Sequence, residues 1–220
     1  MRVSAGARWP DFKLFQVSKI WVFLSVLLLA ANCDDKLEWV EKREGEILVE
    51  RYQLKSDSIL HGLYEIYYPS GELFERAHYK DGLLHGEKKF FFPNGQVQSI
   101  EHHENGEYHG SYMLFDSTGQ VLQEATYERD KTVGLLKNYY PNGQVKEQVH
   151  FENGIESGPF KEYYPNGSLK AEGTYMDGDF EHGLLKLYDE QGMIKRKMNC
   201  EIGVCRTIWR RDDQKAFEGE

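Results

Sequence analysis

Apolar and polar positions alternate along most of this chain, and glycine cuts the alternation at regular intervals. Glycine recurs at Gly62, Gly86, Gly110, Gly134, Gly158 and Gly183, with spacings of 24, 24, 24, 24 and 25. A second column stands nine residues after each, at Gly71, Gly95, Gly119, Gly143, Gly167 and Gly192. A third stands twenty after, at Gly82, Gly106, Gly154, Gly178 and Gly203, with Asp130 once in its place. Three columns in register define six repeats of about 24 residues over 62–206. The extra residue of the fifth unit falls after Gly178, in a turn, where insertions are tolerated.

Each unit reads as two strands and two turns, because the segments between glycines are six to eight residues long, right for strands and short for helices. The middle turn is YYPNG at 139–143 and 163–167, YYPSG at 67–71 and FFPNG at 91–95. Proline supplies φ near −65° and glycine a positive φ, as a type I turn with a G1 bulge requires. The third column is preceded by Asp81, Asn105, Asn153 and Asp177, and Asp-Gly or Asn-Gly is a strong two-residue hairpin signal.

The bulged loop predicts its own register. It sets Tyr67, Phe91, Phe115, Tyr139, Tyr163 and Tyr188 opposite Leu73, Val97, Val121, Val145, Leu169 and Ile194. An aromatic facing a branched aliphatic is a favourable cross-strand pair, about 0.2–1 kcal/mol. Another apolar column, Tyr64, Tyr112, Leu136, Phe160 and Leu185, lies three residues earlier, with Lys88 as its exception. Two columns three apart do not share a face of a regular strand. Either a bulge separates them or both faces carry aromatics.

The predicted fold is therefore all-β: an elongated single antiparallel meander of stacked β-hairpin repeats. Half a repeat precedes it, GEILVERY from Gly45. Its open ends need covering, and the expected caps are Leu37 to Tyr52 and Arg206 to Phe217.

The first residues break the pattern. Ile20 to Ala31 is an apolar run interrupted only by Ser25, behind Arg2, Arg8, Lys13 and Lys19. Twelve residues span about 18 Å as a helix, short of the ~30 Å hydrocarbon core, so the pattern reads as a secretory signal peptide. Ala30-Ala31-Asn32-Cys33 resembles the lipobox of bacterial lipoproteins. That resemblance implies cleavage before Cys33 and a diacylglycerol on its sulfur, hence membrane attachment at the cell envelope. Asn32 and Ala30 depart from the family's preferences, and an uncleaved signal anchor or cleavage nearby by the ordinary signal peptidase are the alternatives.

The whole chain carries 27 basic and 36 acidic residues; after position 33 the figures are 23 and 35. So acidic a surface repels phosphate backbones, which excludes nucleic acid as a partner. Two cysteines remain beyond Cys33, too few for a structural zinc site of four ligands. A two-residue turn at Ile202-Gly203 would face Cys200 with Cys205 at a separation suited to a disulfide. Free thiols are the alternative for a cytosolic protein.

The unit His-Gly-x-aromatic-x-x-YYPNG-x-aliphatic, closing with tyrosine and Asn-Gly, resembles the MORN repeat, in the bacterial variant of proteins often labelled YwqK-type antitoxins. The resemblance covers about two-thirds of the chain and implies a meander of stacked hairpins. Departures are Asp116-Ser117-Thr118-Gly119, Asp189-Glu190-Gln191-Gly192 and Asp130-Lys131.

Chemistry is sparse. His61, His85, His109 and His182 precede repeat glycines, and His78, His102 and His150 share another column. One repeat step is two strands, about 9.6 Å, whereas zinc ligands lie about 2.0–2.1 Å from the metal. A histidine ladder therefore holds no single ion; only a cross-column pair such as His103 with Tyr108 or His109 could converge. No nucleophile elbow, P-loop, zinc-helix motif or dinucleotide fingerprint is present, and Glu75, Glu147, Glu152 and Glu172 occupy periodic positions.

The expectation is a non-enzymatic protein with no cofactor: signal peptide 1–32, lipidated linker and cap 33–61, repeats 62–206 and C-terminal cap 207–220. It presents its repeat sheet to another protein. A cell-wall or glycan-binding module is the alternative, or an antitoxin-like protein if the chain is not exported. Function is to be sought where the repeat is broken, at Asp116, Asp189, the histidines and Cys33.

Overall fold

The computed structural model describes residues 36–56 and 58–215. The first strands of the six units are β3 (Leu60–Tyr67), β5 (Leu83–Phe91), β8 (Gly110–Phe115), β10 (Lys131–Tyr139), β12 (Ile155–Tyr163) and β15 (Gly183–Tyr188). The second strands are β4 (Leu73–Lys80), β6 (Val97–Glu104), β9 (Val121–Glu128), β11 (Val145–Glu152), β13 (Leu169–Met176) and β16 (Ile194–Glu201). Two-residue pieces β7 (Glu107–Tyr108) and β14 (Phe180–Glu181) precede β8 and β15. A hairpin of β1 (Glu38–Glu44) and β2 (Ile47–Leu54) begins the array; β17 (Val204–Arg210) and a one-turn helix α1 (Arg211–Lys215) end it.

The strands pair antiparallel in chain order from β1 to β17 in one elongated meander, in which β6 pairs with both β7 and β8, and β13 with both β14 and β15. Among the described residues β1 and β17 each have one strand neighbour. The half repeat expected at Gly45 is a whole hairpin, since Glu38–Glu44 supplies a first strand.

All six predicted pairs face one another, Tyr67↔Leu73 and its five equivalents. The turns have the expected form: Gly71 N–H donates to Tyr68 C=O at 2.9 Å and Tyr68 N–H to Glu72 C=O at 2.8 Å. The register then steps from Tyr67↔Leu73 to Ile66↔Glu75. The extra residue, Phe74, is on the second strand, so the first strand alternates without interruption. Both faces therefore carry aromatics.

The other turns are two-residue hairpins with both centres at positive φ, 52° at Asp81 and 84° at Gly82. The unit lacking its glycine keeps this geometry through Arg129 (48°) and Asp130 (64°). Asp130 Oδ1 accepts a 2.8 Å bond from Tyr108 N–H, which offsets the strain of a side chain in that region. Asp179 widens the fifth turn to three residues, leaving Met176 paired with Phe180.

The first glycine column marks a larger irregularity. Pairing passes from Ala77↔Lys88 to Tyr79↔Leu84, so β5 spends two more residues than β4 around His85-Gly86. Gly86 has φ of 99°, the left-handed conformation that such a bulge needs and a side chain resists. Most of the buried side chains lie on one face, called inner here: Ala77, Ala125, Val149, Phe160, Ala171, Leu185 and Cys200, with Glu75, Ser99, Glu101 and His103. No helix among the described residues is long and apolar enough to cross a membrane.

Candidate interaction surfaces

The pentapeptide does more than turn the chain. The second tyrosine of each copy reaches the next unit: Tyr68 donates to Phe91 C=O at 2.8 Å, Tyr140 to Tyr163 C=O at 2.8 Å and Tyr164 to Tyr188 C=O at 2.9 Å. The turn asparagine adds a second rung, Asn94 to Ser117 C=O, Asn142 to Pro165 C=O and Asn166 to Glu190 C=O. The opposite row of turns is tied likewise: Gly82 N–H donates to Leu60 C=O and Gly106 N–H to Leu84 C=O, both at 2.8 Å. Successive hairpins are thus stitched at both ends, and the sheet presents an extended surface of fixed geometry.

Asp116 and Asp189 take the place of that second aromatic, and both are turn caps. Asp116 Oδ1 accepts from Thr118 and Gln120 N–H at 2.8 and 3.0 Å. These bonds, with the Thr118 hydroxyl first among them, hold its carboxyl below the usual aspartate range. Asp189 Oδ1 accepts from Met193 N–H at 2.8 Å, and Oδ2 pairs with Arg211 of α1. Arg211 also donates to Ile194 C=O at 2.9 and 2.6 Å. In the last unit α1 closes this turn.

The histidines divide. His102 and His150 Nδ1 lie 2.9 Å from Ser111 and Ser157 C=O, and His78 Nδ1 is 3.3 Å from Glu87 C=O. Each covers the bulge of the following unit; a Cβ added at Gly110 would stand 3.2 Å from His102 Cβ. Of the other column, His61 Nδ1 is 3.3 Å from Asp81, and His109 Nε2 is 3.7 Å from Glu104. Among the described residues no group of three or more His, Cys, Asp or Glu is arranged to hold a metal ion.

His103 does meet Tyr108, as a cross-column pair should, with ring centres 4.3 Å apart. The arrangement is a buried polar inlay. His103 Nε2 lies 3.1 Å from Glu101, and Glu75 is 3.1 Å from Lys88 beside it. Burial, then the charge of Glu101, pushes the Tyr108 phenol above its ordinary range.

On the outer face Glu65 is fully buried beneath Arg51, Arg76 and Tyr67, all of which donate to it, Arg76 at 2.8 Å and Tyr67 at 2.7 Å. Burial raises its pKa, but these three donors prevail and lower it. Elsewhere that face repeats a tyrosine and a lysine on one acid: Tyr188 and Lys186 reach Glu172 at 2.7 and 2.8 Å. The aromatic column of the outer face is therefore half-buried with engaged hydroxyls. Burial, then Glu172, pushes Tyr188 up to about 12.

The cysteine sulfurs of Cys200 and Cys205 are bonded, 2.02 Å apart, across a pair that the Ile202-Gly203 turn sets in register. Cys33 and residues 1–32 lie outside the described residues.

The MORN repeat variant model matches residues 60–81, 84–105, 108–129, 132–153 and 156–177, five segments that make up half of the chain. The chain belongs to the MORN repeat variant family. Within it, the sixth unit keeps the paired geometry of the matched five through Tyr188↔Ile194. No curated protein matches the chain. A porin-like protein from Bacteroides uniformis ATCC 8492 is similar in outline at 11% identity, over 79% of this chain and 89% of its own. Its TM-score of 0.21 is too low to carry an argument about fold or function.

Proposed function

We propose that this MORN repeat variant protein is an exported, non-enzymatic scaffold whose sheet binds another protein at the cell envelope. Residues 1–32 are its signal peptide, and a lipid on Cys33 is its membrane anchor. Residues 33–61 and 207–220 flank the repeats over 62–206 as linker and caps. The observation that carries the binding reading is the double stitching of the hairpins, which holds an extended surface in one shape without a separate core layer. A preformed surface binds without a large ordering cost. The Cys200–Cys205 bond accords with an oxidising compartment.

Photo-crosslinkers placed on outer-face positions such as Lys161 and Lys186 should capture one recurrent envelope protein, and equal yield from both sheet faces would overturn the scaffold reading. Palmitate labelling should be lost in Cys33→Ala; unchanged labelling would remove the lipid anchor and reopen the cytoplasmic reading.

A further inference from the structure

The C-terminal hairpin is charged against the rest of the molecule. Residues 194–211 hold six basic side chains, Lys195, Arg196, Lys197, Arg206, Arg210 and Arg211, and one acid, Glu201. Residues 36–193 hold 16 basic and 28 acidic. A patch of net +5 thus follows a body of net −12, with Asp212 and Asp213 of α1 directly after it, and the patch includes β17, a terminal strand of the sheet among the described residues.

The two edges are built differently. Strand β1, EWVEKRE, is charged at five of its seven positions. Lys42 pairs with Glu50 at 2.6 Å and Arg43 with Glu41 at 2.9 Å. Charge along an edge is a known guard against recruiting another strand. Strand β17, VCRTIWR, has no acid, and Val204 and Ile208 are 65% and 60% exposed. Its described strand neighbour is β16 alone. Helix α1 is held at the other end of the hairpin, by Arg211 on Asp189 and Ile194.

Backbone polarity follows from the turn. Glu201 and Val204 flank the two-residue turn and face one another, Cys200 and Cys205 form the next pair, and Met198 faces Thr207. Antiparallel pairs alternate between exchanging bonds inward and facing outward, so Cys205 and Thr207 turn their N–H and C=O to solvent. The bond to Cys200 keeps this segment straight and in register, and the irregularity at Ile208 ends it.

We infer that β17 is a docking edge that takes an extended acidic segment of a partner protein as an added strand. The inference rests on the protein-binding reading above and names its place and chemistry. The segment bonds to the outward groups of Cys205 and Thr207, while Arg206 meets its carboxylates on one face; the irregularity at Ile208 puts Arg210 on the other face. Strand addition of this kind takes affinity from the main chain and specificity from alternate side chains. A second copy fits less well, because antiparallel β17–β17 pairing through Cys205 and Thr207 sets Arg206 against Arg206 of the other copy.

The test uses the full chain and two fluorescein-labelled decapeptides, one alternating Glu and Val, the other Lys and Val. Anisotropy should show saturable binding of the acidic peptide at least tenfold tighter than the basic one, weakened by salt, with new amide protection confined to 204–208. The change Arg206→Glu should cost at least tenfold in affinity with the melting temperature kept. Should that variant not fold, Thr207→Pro removes an outward donor while leaving the bonds to β16, and it should abolish binding. Several results would overturn the inference: no peptide binding, equal binding of both, protection elsewhere, preference for phosphatidylglycerol vesicles, or self-association with the same protection. If outer-face cross-linking still captures a partner, the scaffold reading survives that failure.

Discussion

The inner face of the sheet is built in two ways. From β3 to β9 its positions hold Tyr64, Tyr79, Lys88, Glu101, His103 and Tyr112, tied by bonds such as Glu101–His103 and Lys88–Glu75. From β10 to β16 they hold Leu136, Phe151, Leu187 and a buried cluster of Val149, Phe160, Ala171, Leu185 and Cys200. The turns and cross-strand register are shared by both halves. The backbone pattern therefore sets the fold, and the inner face is free to be stabilised by apolar burial or by paired polar groups. These differ in kind: burying a large apolar side chain contributes about 1.5–3 kcal/mol, whereas a buried carboxylate is favourable only while its partners remain.

The halves meet where one row of the stitching lapses, although Asp130 N–H still donates to Tyr108 C=O at 3.1 Å in the other. Unit three has Asp116 and Thr118 where a tyrosine and an asparagine would supply rungs, and Thr126 where its neighbours carry His102 and His150. Repeat arrays unfold by units and interfaces, so the joint between β9 and β10 should separate two cooperative blocks.

The largest test of the contrast is Phe160→Ala. Phe160 is 4% exposed and stacks on Tyr175 at 4.2 Å; its loss should cost about 3–5 kcal/mol. In hydrogen exchange the damage should be confined to β10–β16, and equal loss of protection in β3–β6 would show a single cooperative unit.

Next comes Glu65→Ala, which leaves Arg51 and Arg76 without their shared carboxylate and should cost about 1–3 kcal/mol, read by urea denaturation and located in β2–β5. Acid should divide the halves further. Glu65 has a lowered folded pKa, so its contribution is present above the ordinary glutamate range and is lost as pH falls through the folded value. Glu156 is raised by burial, then by Glu147 and Asp179. Its contribution is fully present below the ordinary range and is lost as pH rises through the folded value. Exchange compared at pH 7 and pH 4 should therefore show β3–β5 weakening relative to β11–β12. Parallel change in both would remove the distinction.

Smaller is the loss of one rung. Tyr140→Phe removes the hydroxyl on Tyr163 C=O and should cost about 0.5–1.5 kcal/mol, read as a lower urea midpoint. Smallest is the converse: Phe92→Tyr supplies the rung that unit two lacks and should raise that midpoint by the equivalent of about 0.5 kcal/mol. No gain would mean that Asn94 alone already fixes that joint.

Much of this was legible in the residues. Glycine spacing, Pro-Asn-Gly and Asp-Gly each act over four or five residues, so turn type, strand length and the pairing of Tyr67 with Leu73 follow from local stereochemistry. The inner face was not legible: Tyr64 and Tyr67 are both aromatic, and alternation alone does not say which side will be buried. Asp116 and Asp189 read as breaks in the repeat where function is to be sought, and in the structure each caps its own turn. The tyrosine rungs, the histidines over the glycine bulges and the docking of Arg211 on Asp189 join groups 7 to 24 residues apart. Such contacts depend on how far one hairpin leans on the next, which no local pattern encodes. The sequence by itself determined the hairpin, its length and its register, because turn chemistry is local. Only the tertiary structure decided which face is buried and how units are stitched, because those follow from packing between units.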